Sequence, residues 1–159
     1  MSGYRGYVAS RSVRGVNYPQ RVQNLVVRDY AARNGLRYLL SVTEYALPGS
    51  YLMLAELLSE LERLEGAIFF SLFMLPPQAE ARRAIYARFR ATGTTLHAAL
   101  ENRALRSELD ADGFEQTLLV AQALPSAPFG ARYGKDGISH AVTSRSDAAL
   151  LAAGRAPDL

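Results

Sequence analysis

The chain has no cysteine and a single lysine, Lys135, among 159 residues. The first absence excludes disulfides, Cys-ligated zinc, iron–sulfur clusters and a thiol nucleophile. No stretch reaches the eighteen or more consecutive apolar residues of a membrane span, and the first twenty residues lack the apolar run of a signal peptide. A cytoplasmic protein is expected on that basis. The loop Arg11–Tyr18 (RSVRGVNY) holds one glycine and is neither a Walker loop nor a dinucleotide fingerprint. His97 has no second His beside it at metal-ligand spacing, so neither a metal nor a cofactor is expected. Internal repeats and heptad runs are missing as well.

What is present supports one core. Apolar residues make up 49% of the chain, enough for a single domain of ordinary size. The basic charge is regional: residues 1–37 hold Arg5, Arg11, Arg14, Arg21, Arg28, Arg33 and Arg37 against the single acid Asp29. Residues 38–65 reverse the balance, with Glu44, Glu56, Glu60, Glu62 and Glu65 against Arg63. An Arg-only basic region fits an anionic ligand, because the planar guanidinium binds carboxylate or phosphate through two parallel hydrogen bonds. A solvated Arg-biased surface is the plainer reading of the same residues.

Strands alternate with helices along residues 1–125. Tyr4–Ser10 reads as a buried strand. Pro19 then opens a helix with Val22, Leu25 and Val26 at helical spacing, stopped by Asn34 and Gly35. Leu36–Thr43 is a second strand, and Ser50 is placed to cap a helix striped with Leu54, Leu57, Leu58, Leu61 and Leu64. Ala67–Phe73 (AIFFSLF) is apolar on both faces, as a central parallel strand requires. Pro76 and Pro77 open a third helix, with Arg82, Arg83, Arg88 and Arg90 expected to face water and Gly93 expected to stop it. Thr94–Leu100 gives a fourth strand, and Asp112 with Glu115 offers a capping box for a last helix ending near Leu124. Residues 126–159 carry Ala, Ser, Gly and Pro without a steady period and read as a flexible or loosely docked tail. The expected fold is α/β, three-layered, with a mainly parallel four-stranded sheet and helices on both faces, of resolvase-like or flavodoxin-like type.

In such sheets ligands gather outside the carboxyl ends of the strands. Those ends bring together Ser10, Arg11, Ser12 and Arg14, then Glu44 and Tyr45, then Ser71, then Glu101. Arg11 and Arg14 suit an anion, and Glu44 or Glu101 a proton transfer or a hydroxyl. Paired at the sheet edge, the same carboxylates are structural instead. Ser10 and Ser12 have no Gly-x-Ser-x-Gly elbow and read as loop serines. His97 is either a core histidine or a base. Gln20, Gln23 and Asn24 open the first helix beside this crevice, where they either bind hydroxyl groups or cap the helix.

From Gly6 to about Leu105 the order of elements resembles the serine recombinase or resolvase catalytic domain. The phrase GYVASRS puts Ala9 where that family has an Arg and Arg11 where it has the nucleophilic Ser, with Ser10 and Ser12 flanking. SLFMLPP puts Phe73 and Met74 at the family's Asp and Arg, and Pro77 at its second Arg. Apolar residues there cannot offset charge on a scissile phosphate, so strand cleavage is not expected. The phrases PQRVQNLVVRDYAARNGLRYLLSVTEYALPGSY and IFFSLFMLP are also similar to the sporadic carbohydrate cluster proteins of bacterial surface-polysaccharide gene clusters, over roughly residues 3–125. That resemblance implies an enzyme or accessory factor acting on an anionic sugar or nucleotide-sugar in lipopolysaccharide or capsule synthesis. Its partner would be a pathway enzyme or a second copy bound through the leucine-rich helix. The alternatives are a catalytically dead recombinase-like DNA-binding protein, which the absence of a helix-turn-helix ranks lower, and a non-catalytic assembly partner.

Overall fold

The computed structural model describes residues 2–124, so the expected 126–159 tail lies outside the described residues. Strand β1 (Tyr4–Ala9) is the central element, with Tyr7, Val8 and Ala9 wholly buried. It pairs in parallel with β2 (Tyr38–Glu44) on one side and β3 (Gly66–Phe69) on the other. Beyond β3 lies β4 (Thr95–Ala98), again parallel, and then β5 (Arg103–Leu105), which is antiparallel. The sheet therefore has five strands in the order β2-β1-β3-β4-β5.

The expectation of four strands is corrected by β5. After β4 the chain reverses through a tight turn in which Asn102, at φ 52°, donates its N–H to the Ala99 carbonyl at 3.2 Å. A strand of three residues after a four-residue turn shows no readable alternation, which is why the sequence hides it. The antiparallel edge also departs from an all-parallel flavodoxin-like sheet.

Helices connect the parallel strands: α1 (Gln20–Arg33), α2 (Leu52–Glu60) and α3 (Ala79–Thr92), with α4 (Glu108–Ala123) after β5. Right-handed crossovers from β1 leftward to β2, and from β2 rightward to β3 and β4, direct α1 to one face and α2 and α3 to the other. Leu54, Leu57 and Leu61 of the leucine stripe are buried inside the chain itself, packed in one core with Ile68, Phe69, Phe89 and Leu96. No helix among the described residues is long and apolar enough to cross a membrane.

Two local devices shape the sheet. At Gly66 a Cβ would stand 2.0 Å from the Thr95 carbonyl oxygen and 2.8 Å from the Tyr4 ring, so β3 accepts only glycine at its first position. On the open edge, β2 sets Leu39 and Leu40 opposite Arg5 alone, a bulge that turns out Leu40 and interrupts the edge as a pairing template.

Three helix expectations are corrected. Arg82 does not face water but is buried, because Glu115 on α4 meets its guanidinium. The capping box of α4 is Ser107 with Asp110, ahead of the expected Asp112 and Glu115: Ser107 Oγ receives the Asp110 N–H at 3.3 Å and Asp110 Oδ2 receives the Ser107 N–H at 2.9 Å. Ser50 does not cap α2, and Tyr51 at the N-cap position makes no side-chain cap bond.

Candidate functional site

The four parallel strands end on one edge of the sheet, and the first loop to leave it is built tightly. Val13 and Val16 exchange two backbone hydrogen bonds, at 2.9 and 3.1 Å, around Arg14 (φ 51°) and Gly15 (φ 77°). Two positive φ angles in a two-residue loop make a type I′ turn. Arg14 thus sits at the tip in a conformation that few residues with a Cβ adopt. Its guanidinium carbon lies 4.8 Å from the centre of the Phe73 ring, which arrives from the β3 exit.

The β2 exit is held by a buried carboxylate. Glu44 has no exposure, and its oxygens receive the N–H groups of Leu54 (3.0 Å), Met53 (3.4 Å) and Tyr45 (3.4 Å), the Ser50 hydroxyl (3.4 Å) and the Tyr7 phenol (3.1 Å). It therefore caps the first turn of α2, where the free N–H groups and the helix dipole favour negative charge. Burial, then the Glu44 carboxylate, pushes the Tyr7 phenol far above its ordinary range, so it stays a proton donor. Arg11 closes the arrangement: Nη1 donates to the Ser50 carbonyl at 2.9 Å, Nη2 lies 3.5 Å from the Tyr7 hydroxyl, and the guanidinium covers the Tyr51 ring at 4.4 Å. Between these anchors Leu47-Pro48-Gly49-Ser50 forms a type II turn, with Gly49 at φ 69° and the Ser50 N–H on the Leu47 carbonyl at 3.1 Å.

A second set stands at the β3 and β4 exits. Buried Ser71 donates its hydroxyl to Glu101 Oε1 at 2.7 Å, and the Leu72 N–H reaches Glu101 Oε2 at 2.8 Å. Glu101 so fixes the loop that presents Phe73. Gln23, wholly buried, is occupied with backbone: its amide receives the Ala9 N–H (3.0 Å) and donates to the Ala9 (2.7 Å) and Tyr18 (2.8 Å) carbonyls. Gln20 donates to the exposed Ser10 hydroxyl at 2.8 Å, and Asn24 bonds back to the Gln20 carbonyl at 3.1 Å. Ser12 and Tyr45 are exposed.

His97 is apart from all of these. It lies buried beneath α1, with Nδ1 2.9 Å from the Tyr30 hydroxyl and the rings of Tyr4 and Tyr30 edge-on at 5.3 and 5.6 Å. Burial, then the Arg106 charge, lowers its pKa to about 4, so the ring is neutral near pH 7.

The strand exits therefore carry two separate hydrogen-bonded sets, Arg11–Tyr7–Glu44 and Ser71–Glu101, with Arg14 lying on Phe73 beside the second. A groove of about 720 Å3 lies elsewhere, between α3 and α4, and another of about 500 Å3 lies between α1 and the β4 exit. Neither is lined by a residue singled out from the sequence for the crevice. Tyr7, Tyr51 and Phe73 escaped sequence reasoning as partners of the two arginines. The one available signal was the Leu-Pro-Gly phrase, whose turn brings Ser50 and Tyr51 to Arg11. Among the described residues no cluster of three or more metal-binding side chains occurs.

No protein-family model matches the chain, and no curated protein matches it. Among solved structures it is similar to the N-terminal catalytic domain of TP901-1 integrase, with a TM-score of 0.52 and 14% sequence identity over 75% of this chain and 94% of that one. The likeness gives the fold: an α/β domain with a mostly parallel five-stranded sheet, resembling a recombinase catalytic domain. It also corrects the sugar-synthesis expectation. That neighbour is an integrase catalytic domain, and none of the comparisons points to sugar synthesis.

Proposed function

We propose that the chain is a recombinase-like domain that binds DNA backbone at the strand-exit end of its sheet and does not cut it. The observation that carries this reading is Arg14, set on the tip of a two-residue turn and steadied over Phe73. A guanidinium held in this way reaches a phosphate with little further loss of freedom. Exposed Arg21 on the first turn of α1 adds a second cation at the same end. The neighbour's description as an integrase catalytic domain supports DNA as the polyanion.

Several residues argue against strand cleavage. A serine nucleophile needs an adjacent base or cations that stabilise the charged phosphorane-like transition state. Ser10 instead accepts the Gln20 amide, and the positions that the recombinase resemblance assigns to arginines hold Ala9, Met74 and Pro77. Met74 is buried in the core, so its side chain supports packing. The resemblance to the sporadic carbohydrate cluster proteins rests on the phrases quoted above alone and contributes no activity to this reading.

Binding of a labelled duplex, followed by anisotropy across a salt series, tests the reading. Affinity is expected to fall steeply with salt, and Arg14→Ala and Arg21→Ala each to lower the log–log slope by about 1. No covalent protein–DNA adduct is expected. A slope near zero, or no binding at low salt, would overturn the assignment.

A further inference from the structure

We propose that the loop from Tyr45 to Leu52 is an apolar wedge that enters between base pairs of duplex DNA, which rests on the DNA-binding reading above. Three large apolar side chains are turned to solvent here: Tyr45 is 58% exposed, Leu47 64% and Leu52 69%. Isolated exposed leucines are ordinary, but these fall within eight residues, on the β2–α2 loop and the first residue of α2.

The loop is also rigidly founded. The Leu47–Ser50 turn is fixed by Pro48 and Gly49, and its base is closed by Glu44 through the Tyr45 N–H and the Ser50 hydroxyl. Arg11 holds the Ser50 carbonyl and lies over Tyr51. A fully buried carboxylate thus orders a loop whose tip, Leu47, is largely exposed among the described residues. Ordering an apolar tip before contact removes most of the entropy cost of inserting it.

Charge selects the occupant. Arg11, Arg14 and Arg21 stand at the same strand-exit end as this loop, and Glu44, the acid that closes the loop, is buried. The surface that meets the Leu47 tip is therefore both anionic and apolar. Duplex DNA offers phosphates beside a base step that Leu and Pro side chains can part, and such wedges bend and unwind the helix.

The full chain is incubated with relaxed closed-circular plasmid and a topoisomerase, and the linking number is read after protein removal. Wild type is expected to leave the plasmid with an altered linking number. Leu47→Ala, whose side chain is exposed and outside the core, is expected to abolish that change while the salt slope of binding stays as in wild type, because the slope counts phosphates. Bound wild type with an unchanged linking number would overturn the wedge and leave the DNA reading standing. Absence of duplex binding would overturn both. Retention of the linking-number change by Leu47→Ala would move the wedge off this loop and so overturn it. A parallel arm uses vesicles of phosphatidylserine and phosphatidylcholine: binding lost in Leu47→Asp, without any change in plasmid linking, would assign the loop to a lipid surface and overturn the proposal.

Discussion

The Tyr30 hydroxyl lies 2.9 Å from Nδ1 of His97, tying α1 to β4 through the interior of the domain, while Nε2 of the same ring is buried without a hydrogen-bond partner among the described residues. The imidazole is thus kept where a second proton would have no acceptor, and the nearby charge, Arg106, is also positive.

Stability should accordingly depend on pH in the range where this ring differs between states. Its folded pKa of about 4 lies below the ordinary 6.5, so the unfolded chain binds the extra proton first. The contribution is fully present above pH 6.5 and is lost as pH falls toward 4, by up to about 3 kcal/mol. Urea unfolding at a series of pH values checks this against His97→Phe, in which the step between pH 6.5 and 4 should vanish. Equal pH dependence in the two proteins would refute the assignment.

Glu44 gives a second prediction. Glu44→Ala would leave the Leu54 N–H and the Tyr7 hydroxyl, both buried, without their acceptor. A loss of about 3 kcal/mol is expected, with faster amide exchange at Met53 and Leu54. Glu44→Gln should also destabilise, since its NH2 group meets donors. A loss below about 1 kcal/mol for alanine would mean that water replaces the carboxylate.

The alternation of strands with helices was legible because the apolar runs and the breakers Pro19, Gly35, Gly66 and Gly93 are strong local signals. Residues at the strand exits were legible for the same reason: topology alone puts Arg11, Glu44, Ser71 and Glu101 there. Their partners were not. Whether a carboxylate faces solvent or caps a helix depends on neighbours far along the chain, as with Glu44 and Leu54 or Ser71 and Glu101. Arg82 shows the same limit, for its position on α3 reads as solvent-facing until α4 is laid against it. Helical periodicity locates a face and is silent about which later element covers it.

Gly66 should tolerate no side chain. Gly66→Ala places a methyl group 2.0 Å from the Thr95 carbonyl, between two strands whose backbones are fixed by pairing on both sides. Separating them costs about 3 kcal/mol or more, at or above the upper end of ordinary overpacking. Gly35→Ala, where a Cβ would meet open space, is the control and should lose only the smaller cost of its positive φ of 65°. Comparable thermal midpoints for the two variants would contradict the close approach of β3 to β4.

The Arg82–Glu115 pair predicts strong coupling between α3 and α4. Arg82, 7% exposed, donates from Nε and Nη2 to the two Glu115 oxygens at 2.7 and 2.6 Å, and from Nη1 to the Pro76 and Pro77 carbonyls at 3.1 and 2.6 Å. Tyr86 donates to Glu115 as well, at 2.8 Å. The hydrogen bonds from Arg82 hold the Glu115 carboxyl below its usual range, so the ion pair persists as pH falls through the ordinary carboxylate range and fails only below it. Glu115→Leu leaves a buried guanidinium without its counter-charge and is expected to cost about 3 to 5 kcal/mol. Arg82→Met should cost less, because Glu115 is partly exposed and keeps Tyr86. The double variant should recover most of the loss of Glu115→Leu, since two apolar side chains of similar length fill the same space without a stranded charge. Additive losses across this cycle would show that the pair contributes nothing as a pair, and that α4 is held to α3 by apolar packing around Phe114 and Tyr86 instead.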